Sequence, residues 1–90
     1  MPKLTAIQSI LSALRTDGHT SGVYDAPDHQ HQTKIYFQAQ ANQIRLRGVL
    51  CGADCRPISG ARGTTRTITS EKLLPTAIDT MIHAVWNKWT

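Results

Sequence analysis

A helix near the start of the chain is predicted by apolar residues that recur every three or four positions. These residues are Leu4, Ile7, Ile10, Leu11 and Leu14. Thr5 and Gln8 form a T-x-x-Q capping box, in which each side chain satisfies a backbone N–H group of the other residue. Gly18 readily ends a helix because it adopts a left-handed conformation at little cost. The pattern therefore predicts a helix from about Thr5 to Thr16.

A second helix is predicted at the other end of the chain. Its apolar stripe consists of Leu74, Ile78, Met81, Ile82, Val85 and Trp89. Ser70 is a suitable N-cap, and Glu71 lies in the first turn, where a carboxylate is favourable. Pro75 allows an alternative in which a short turn from Ser70 to Leu74 precedes a helix with proline at its first position.

Between the helices, two segments alternate apolar and polar residues with the two-residue period of a half-buried strand. In residues 33–40, Ile35, Phe37 and Ala39 share one face, and Lys34, Tyr36 and Gln38 share the other. In residues 42–51, one face has Ile44, Leu46 and Leu50, and the opposite face has Arg45, Arg47 and Val49. Ala41 and Asn42 are predicted to form the turn between these strands, since asparagine tolerates a positive φ.

A third strand is predicted over residues 64–69, where β-branched residues predominate. Which face of this strand is buried stays open, because Arg66 and Ile68 are two positions apart and therefore lie on the same face.

Two predicted loops complete the chain. Residues 18–32 are predicted to form a long loop in which Val23 and Tyr24 could begin a strand that Pro27 cuts short. Residues 52–63 form a glycine-rich loop.

These elements predict a single α+β domain over residues 1–90, in the order α-β-β-β-α. Two helices would cover one face of a three-stranded antiparallel sheet. A chain of this length buries a modest core, so a homodimer that hides additional apolar surface is an open alternative. No apolar run reaches the length of a membrane span, and the first residues lack the pattern of a secretory signal. With only two cysteines, expected to be thiols, a cytoplasmic location is predicted.

The net charge of the chain is concentrated in the predicted sheet. Between Thr33 and Thr69, a single acidic residue, Asp54, faces six basic residues, a net charge of +5 in a chain whose total is +4. The basic residues are Lys34, Arg45, Arg47, Arg56, Arg62 and Arg66. Such clustering is the electrostatic footprint of a nucleic-acid-binding surface. Tyr36, beside these cations, is suited to stack on an unpaired base, although a wet sheet face commonly carries ordinary Lys and Arg residues as well.

Three other groups of residues suggest other functions. The loop over residues 52–63 contains glycines suited to an anion, but it lacks the G-x-x-x-x-G-K-[ST] pattern of a nucleotide-binding P-loop. His29, His31, Cys51 and Cys55 are candidate zinc ligands, because H-x-H in an extended segment can direct both imidazoles to one side and C-x3-C has a ligand spacing. The same histidines could serve a small RNase as a general base. Trp86, at the margin of the helical stripe, is a candidate anchor for a protein partner.

The predicted order of elements resembles that of double-stranded-RNA-binding domains and of small mRNA-interferase toxins of the HicA type. The lysine cluster of the RNA-binding domains falls where this chain has Glu71, Lys72 and Pro75. The catalytic Gly-Ser-His context of the toxins is not matched by the sequence Asp-His-Gln-His of residues 28–31. The resemblance is one of element order, and it assigns no family.

The sequence therefore predicts a small non-enzymatic binding protein without a cofactor, which uses its basic sheet face and the arginine-bearing glycine-rich loop to engage nucleic acid, RNA or DNA, or a nucleoprotein complex. The first alternative is a regulator, inhibitor or assembly factor that docks on an acidic protein surface. The second alternative is a zinc-stabilised domain or a small RNase.

Overall fold

The described part of the chain folds into two helices and four strands. A computed structural model describes residues 2–52 and 63–89, and it describes the side chains of residues 7–52 and 63–88. The elements are α1 (Pro2–Asp17), β1 (His19–Asp25), β2 (Gln32–Gln40), β3 (Gln43–Cys51), β4 (Thr64–Ile68), a 3₁₀ turn (Glu71–Leu73) and α2 (Leu74–Trp89). The α+β class is confirmed. The predicted order of α-β-β-β-α is wrong by one strand, and the resemblance in element order to the two RNA-related families is lost with it.

The first helix is longer than its capping signal predicts. It begins at Pro2, so Thr5 lies inside the helix and is not its N-cap. Proline is well tolerated in the first turn of a helix, where its missing N–H group has no partner to lose. The predicted end is confirmed: Gly18 has φ +79°, and its N–H group donates to the Leu14 carbonyl over 3.0 Å.

The second helix begins as the alternative with a short turn predicts. The Ser70 side chain accepts a hydrogen bond from the Lys72 N–H group and caps the 3₁₀ turn. The helix α2 then starts at Leu74, which places Pro75 in its first turn.

The four strands form one antiparallel sheet in the order β1-β2-β3-β4. The additional strand, β1, lies where the sequence predicts a loop, and it pairs with β2 along its whole length, from His19 opposite Gln38 to Asp25 opposite Gln32. Only residues 26–31 connect these strands. Pro27 occupies the second position of a turn closed by a hydrogen bond of 2.9 Å from the His29 N–H group to the Ala26 carbonyl. Proline thus ends β1 without preventing it.

Both helices pack on one face of the sheet, which we call the inner face. One continuous core lies between the helices and this face. The side chains predicted to point inward on β2 and β3 are buried, apart from Ala39, which is exposed next to the β2–β3 turn. The core residues of the sheet are Ile35, Phe37, Ile44, Leu46, Leu50 and Ile68, and those of the helices are Ile10, Leu14, Leu74, Ala77, Ile78, Met81, Ile82 and Val85. The opposite face, which we call the outer face, carries no helix in the described part of the chain.

The turn between β2 and β3 is the two-residue turn that the sequence predicts. Gln40 pairs with Gln43, which leaves Ala41 and Asn42 as the connection. The positive φ, +46°, belongs to Ala41 and not to the asparagine.

None of the described helices combines the length and the apolar character needed to cross a membrane.

Replacing Thr33 by valine should raise the free energy of unfolding by about 1 kcal/mol. Thr33 is fully buried, and its hydroxyl has no hydrogen-bond partner among the described residues. Valine keeps the branched shape and removes a desolvated polar group that makes no compensating bond. Urea denaturation measures the change, with the exposed Thr65→Val as a control that should alter stability by less than about 0.5 kcal/mol. A destabilised Thr33→Val variant would mean that the hydroxyl has a partner.

Candidate nucleic-acid interface

The outer face is built by the alternation of side chains along each strand. Residues directly opposite each other in the sheet share a face, so the register defines rows of side chains across the strands. One row runs Ser21, Tyr36, Arg47 and Thr65, and the next runs His19, Gln38, Arg45 and Thr67. Lys34 lies in the row beyond Tyr36, between Val23 and Val49. A basic and aromatic cluster thus occupies the middle of a four-stranded surface.

Of the predicted site residues, the structure brings Lys34, Tyr36, Arg45 and Arg47 together on the outer face. Arg66 lies elsewhere. It is opposite Leu46, a fully buried core residue, so it belongs to the inner face of the edge strand β4. Its own side chain is exposed there, beyond the core. Arg56 and Arg62 lie outside the described residues.

The cations of the outer face are not neutralised within the described chain. Lys34, Arg45 and Arg47 share this face with one carboxylate, Asp25, for a formal net charge of +2. No described carboxylate is within 4.0 Å of these three cations. Among the other residues whose side chains are described, 7–52 and 63–88, the charges balance: four are cationic and four are carboxylates, and they are Arg15, Arg66, Lys72, Lys88, Asp17, Asp28, Glu71 and Asp79. The positive excess of the described side chains is therefore on the face that no described helix covers.

Tyr36 is the exposed aromatic residue of this face, with 43% of its surface accessible. The Lys34 ammonium lies 5.1 Å from the centre of its ring, in a cation–π contact that restrains the ring against the sheet. Beside it lies a shallow depression of about 620 Å³, lined by His19, Tyr36, Gln38, Arg45, Arg47 and Val49 together with Thr20 and Phe37. The depression combines an aromatic surface with hydrogen-bond donors and guanidinium groups.

His19 and Gln38 are residues of this depression that the sequence alone did not indicate. Gln38 was correctly predicted on the polar face of its strand, but an amide carries no special signal. His19 was missed because β1 was predicted as a loop. The alternation of its residues is weak, since only Tyr24 is a large apolar group among the inward positions of the strand.

The described residues of the predicted zinc site do not come together as metal ligands. His29 has φ +59° in a tight turn, so residues 29–31 are not the extended H-x-H segment that was predicted. His29 is exposed, whereas His31 packs against Trp86, and Cys51 is buried at the end of β3. In residues 7–52 and 63–88, no group of three His, Cys, Asp or Glu side chains is arranged to hold a metal ion. Cys55 lies outside the described residues.

Asp28 and His31 form a close pair that organises the β1–β2 connection. One Asp28 carboxylate oxygen, Oδ1, accepts from the backbone N–H groups of Gln30 and His31, and the other, Oδ2, lies 2.6 Å from His31 Nδ1. Partial burial raises the pKa of Asp28, but the His31 N–H group, the His31 ring and the Gln30 N–H group outweigh it and lower the pKa from 3.8 to about 2. The carboxylate therefore stabilises the fold above about pH 3.8, and that contribution is lost as the pH falls towards 2.

His31 and Trp86 contact each other and have a structural role. The His31 ring lies 5.9 Å from the Trp86 ring at a tilt of 51°, and Trp86 is partly buried against the core. The contact joins the β1–β2 connection to α2 on the helix side of the sheet. Trp86, the predicted anchor for a protein partner, is thus engaged within the fold and lies away from the outer face.

Comparison of the chain with known protein-family models, with curated proteins and with solved structures finds no significant match.

Proposed function

We propose that this protein binds single-stranded nucleic acid on its outer face, without catalysing a reaction. The observation that supports the proposal is the position of Tyr36: an exposed aromatic ring in the centre of a sheet face that no described helix covers, with Arg47 opposite it and Lys34 against it. Aromatic residues on open sheets stack on unpaired bases, because every base offers an apolar face. The three cations would neutralise the phosphates on either side of such a base.

The width of the sheet favours a single strand over a duplex. The axes of β1 and β4 lie three strand spacings apart, about 14 Å at the usual spacing of 4.8 Å. The major groove of B-DNA is about 12 Å wide and accepts one helix or a two-stranded ribbon. A four-stranded face is too broad to enter it, and a stacked tyrosine cannot reach the faces of paired bases without unstacking them. The proposal includes the predicted cytoplasmic location, where RNA is the available single strand.

Replacing Tyr36 by leucine should weaken binding to a single-stranded oligonucleotide about 5- to 150-fold, since stacking of one base on an aromatic residue is worth about 1–3 kcal/mol. Tyr36→Phe keeps the ring and should bind nearly as well as the natural protein. Because neither substitution changes a charge, the salt dependence of binding should be the same in all three proteins. Fluorescence anisotropy with labelled RNA and DNA single strands and with the matching duplex measures these quantities. Equal affinities of the leucine and phenylalanine variants would contradict the stacking role.

A pull-down from lysate with and without nuclease tests the class of partner directly. The proposal expects that nuclease removes the bound material, whether this is free nucleic acid or a nucleoprotein complex. Retention of one defined acidic protein after nuclease treatment, together with no binding of purified single strands, would overturn the proposal. It would favour a docking surface for a protein instead.

A further inference from the structure

The two edges of the sheet differ in how they are protected from further strand pairing. Natural edge strands are commonly short or carry proline, lysine or an inward-pointing charge, which discourage pairing with another chain. At one edge, β4 has five residues, and Arg66 is an inward-pointing charge in its centre. At the other edge, β1 has seven residues, and its sequence HTSGVYD contains none of these residues between its ends. In the described part of the chain, no strand pairs with its free side.

The register shows which backbone groups lie along that free edge. Hydrogen bonds join the Ala39 N–H group to the Gly18 carbonyl and the Ala26 N–H group to the His31 carbonyl, and both pairs continue the β1–β2 ladder. Alternate residues of a strand direct their backbone groups to the same side, so the even-numbered residues of β1 bond to β2. The odd-numbered residues direct their N–H and C=O groups to the free edge, and these are His19, Ser21, Val23 and Asp25.

We propose that two copies of this chain pair antiparallel through β1, about a two-fold axis at Gly22. This register uses all four edge residues: His19 of one copy faces Asp25 of the other, and Ser21 faces Val23. Each such pair can exchange two backbone hydrogen bonds. The imidazole of His19 can donate to the Asp25 carboxylate at both ends of the interface, and Val23, 47% exposed in one copy, is covered by the neighbouring strand. The product is a continuous eight-stranded sheet.

This interface joins the two outer faces into one surface. The β2 strands of the two copies are separated by three strand spacings, about 14 Å, and the two Tyr36 residues are offset by two residues along the strands, so their Cα atoms lie about 16 Å apart. The dimer is inferred from the free edge of β1 alone. A monomeric protein could therefore still bind nucleic acid on its outer face.

Light scattering coupled to size exclusion should find a species of twice the 9.9 kDa chain mass that dissociates on dilution. Backbone amide exchange then identifies the interface. The N–H groups of Thr20, Gly22 and Tyr24 should be protected at every concentration, whereas those of Ser21 and Val23 should become protected only as the dimer forms. A monomer at all concentrations would overturn the proposal, and so would a dimer in which the Ser21 and Val23 amides stay unprotected.

Two charge variants at the ends of β1 test the register. Recovery of a dimer when they are mixed would show that neither substitution has disrupted the strand. In Asp25→Lys, a lysine faces His19 of the other copy, and in His19→Glu, two carboxylates face each other. Each variant alone should dimerise about tenfold more weakly, because the contact between His19 and Asp25 is lost at both ends of the interface and each cross-strand pair is worth about 0.2 to 1 kcal/mol. The mixture should recover a heterodimer, because lysine then faces glutamate while the remaining His19 faces Asp25. Variants that dimerise like the natural chain, or a mixture that shows no recovery, would refute this register.

Discussion

Replacing Gly48 by alanine is expected to lower the free energy of unfolding by about 1 to 3 kcal/mol, the usual cost of inserting a group into a filled core. Gly48 lies on the inner face of β3, directly beneath α2. A Cβ atom at this position would lie 2.8 Å from Met81 Cγ, 2.9 Å from Met81 Sδ and 3.0 Å from Val85 Cγ2. These separations are shorter than normal contacts, so the Met81 and Val85 side chains, or the helix that carries them, would have to shift. Gly48→Val should be worse, because two further methyl groups would meet the same side chains.

Chemical denaturation measures this effect, and two comparisons make it specific. Gly52→Ala adds the same atom where no described atom lies within 4 Å, so it should change stability little. Met81→Ala removes the nearest obstacle, and the Gly48→Ala/Met81→Ala double variant should be more stable than the sum of the single effects predicts. The favourable coupling between neighbouring substitutions is expected to be about 0.5 to 3 kcal/mol. A Gly48→Ala variant as stable as the natural chain would mean that α2 does not approach β3 so closely.

The Arg45→Ala/Arg47→Ala double variant is expected to bind single-stranded nucleic acid roughly 30-fold more weakly at low salt. Each guanidinium contributes about 1 kcal/mol through charge-assisted contacts with phosphate, and 1.4 kcal/mol corresponds to tenfold in affinity. Each lost contact with a single strand also removes about 0.7 from the slope of log affinity against log salt. The double variant should therefore have a slope that is flatter by about 1.4. Both side chains are exposed, so the stability of the fold should change little.

A matched control removes the same charge from another part of the molecule. The Arg66→Ala/Lys72→Ala double variant also loses two exposed cations, but Arg66 lies on the inner face of β4 and Lys72 lies in the 3₁₀ turn before α2. If the outer face is the binding surface, this control should retain most of the affinity and salt dependence. Equal losses in the two double variants would indicate that net charge alone governs binding and would remove the outer face from its assigned role.

Local patterns were sufficient to predict the elements whose inward positions are strongly apolar. The alternation in β2 and β3 correctly separated Ile35 and Leu46, which are buried, from Tyr36 and Arg47, which are exposed. The candidate site lies mainly on these two strands. The alternation of faces along them was therefore sufficient to predict four of its residues, Lys34, Tyr36, Arg45 and Arg47. The strand β1 was missed because its inward positions include Gly22 and Thr20, which give almost no hydrophobic signal.

The surroundings of Gly22 show why β1 forms although the alternation of apolar and polar residues in its sequence is weak. A Cβ atom at Gly22 would lie 2.9 Å from the Tyr24 hydroxyl oxygen, so the Tyr24 ring occupies the space above the glycine. The ring packs against the core, and burial raises the pKa of Tyr24 to about 12. The strand is therefore stabilised by its pairing with β2 and by one aromatic contact, both of which depend on residues distant in sequence.

The spacing of neighbouring residues is sufficient to specify the two helices, the central hairpin and the basic, tyrosine-bearing side of that hairpin. Three other features become visible only in the folded protein: β1 adds a fourth strand to the sheet, Arg66 belongs to the inner face, and His29 and His31 form no extended ligand pair. Those outcomes depend on which strands pair and in which register. Register is set by the packing of the whole sheet against the helices, and no single segment specifies it.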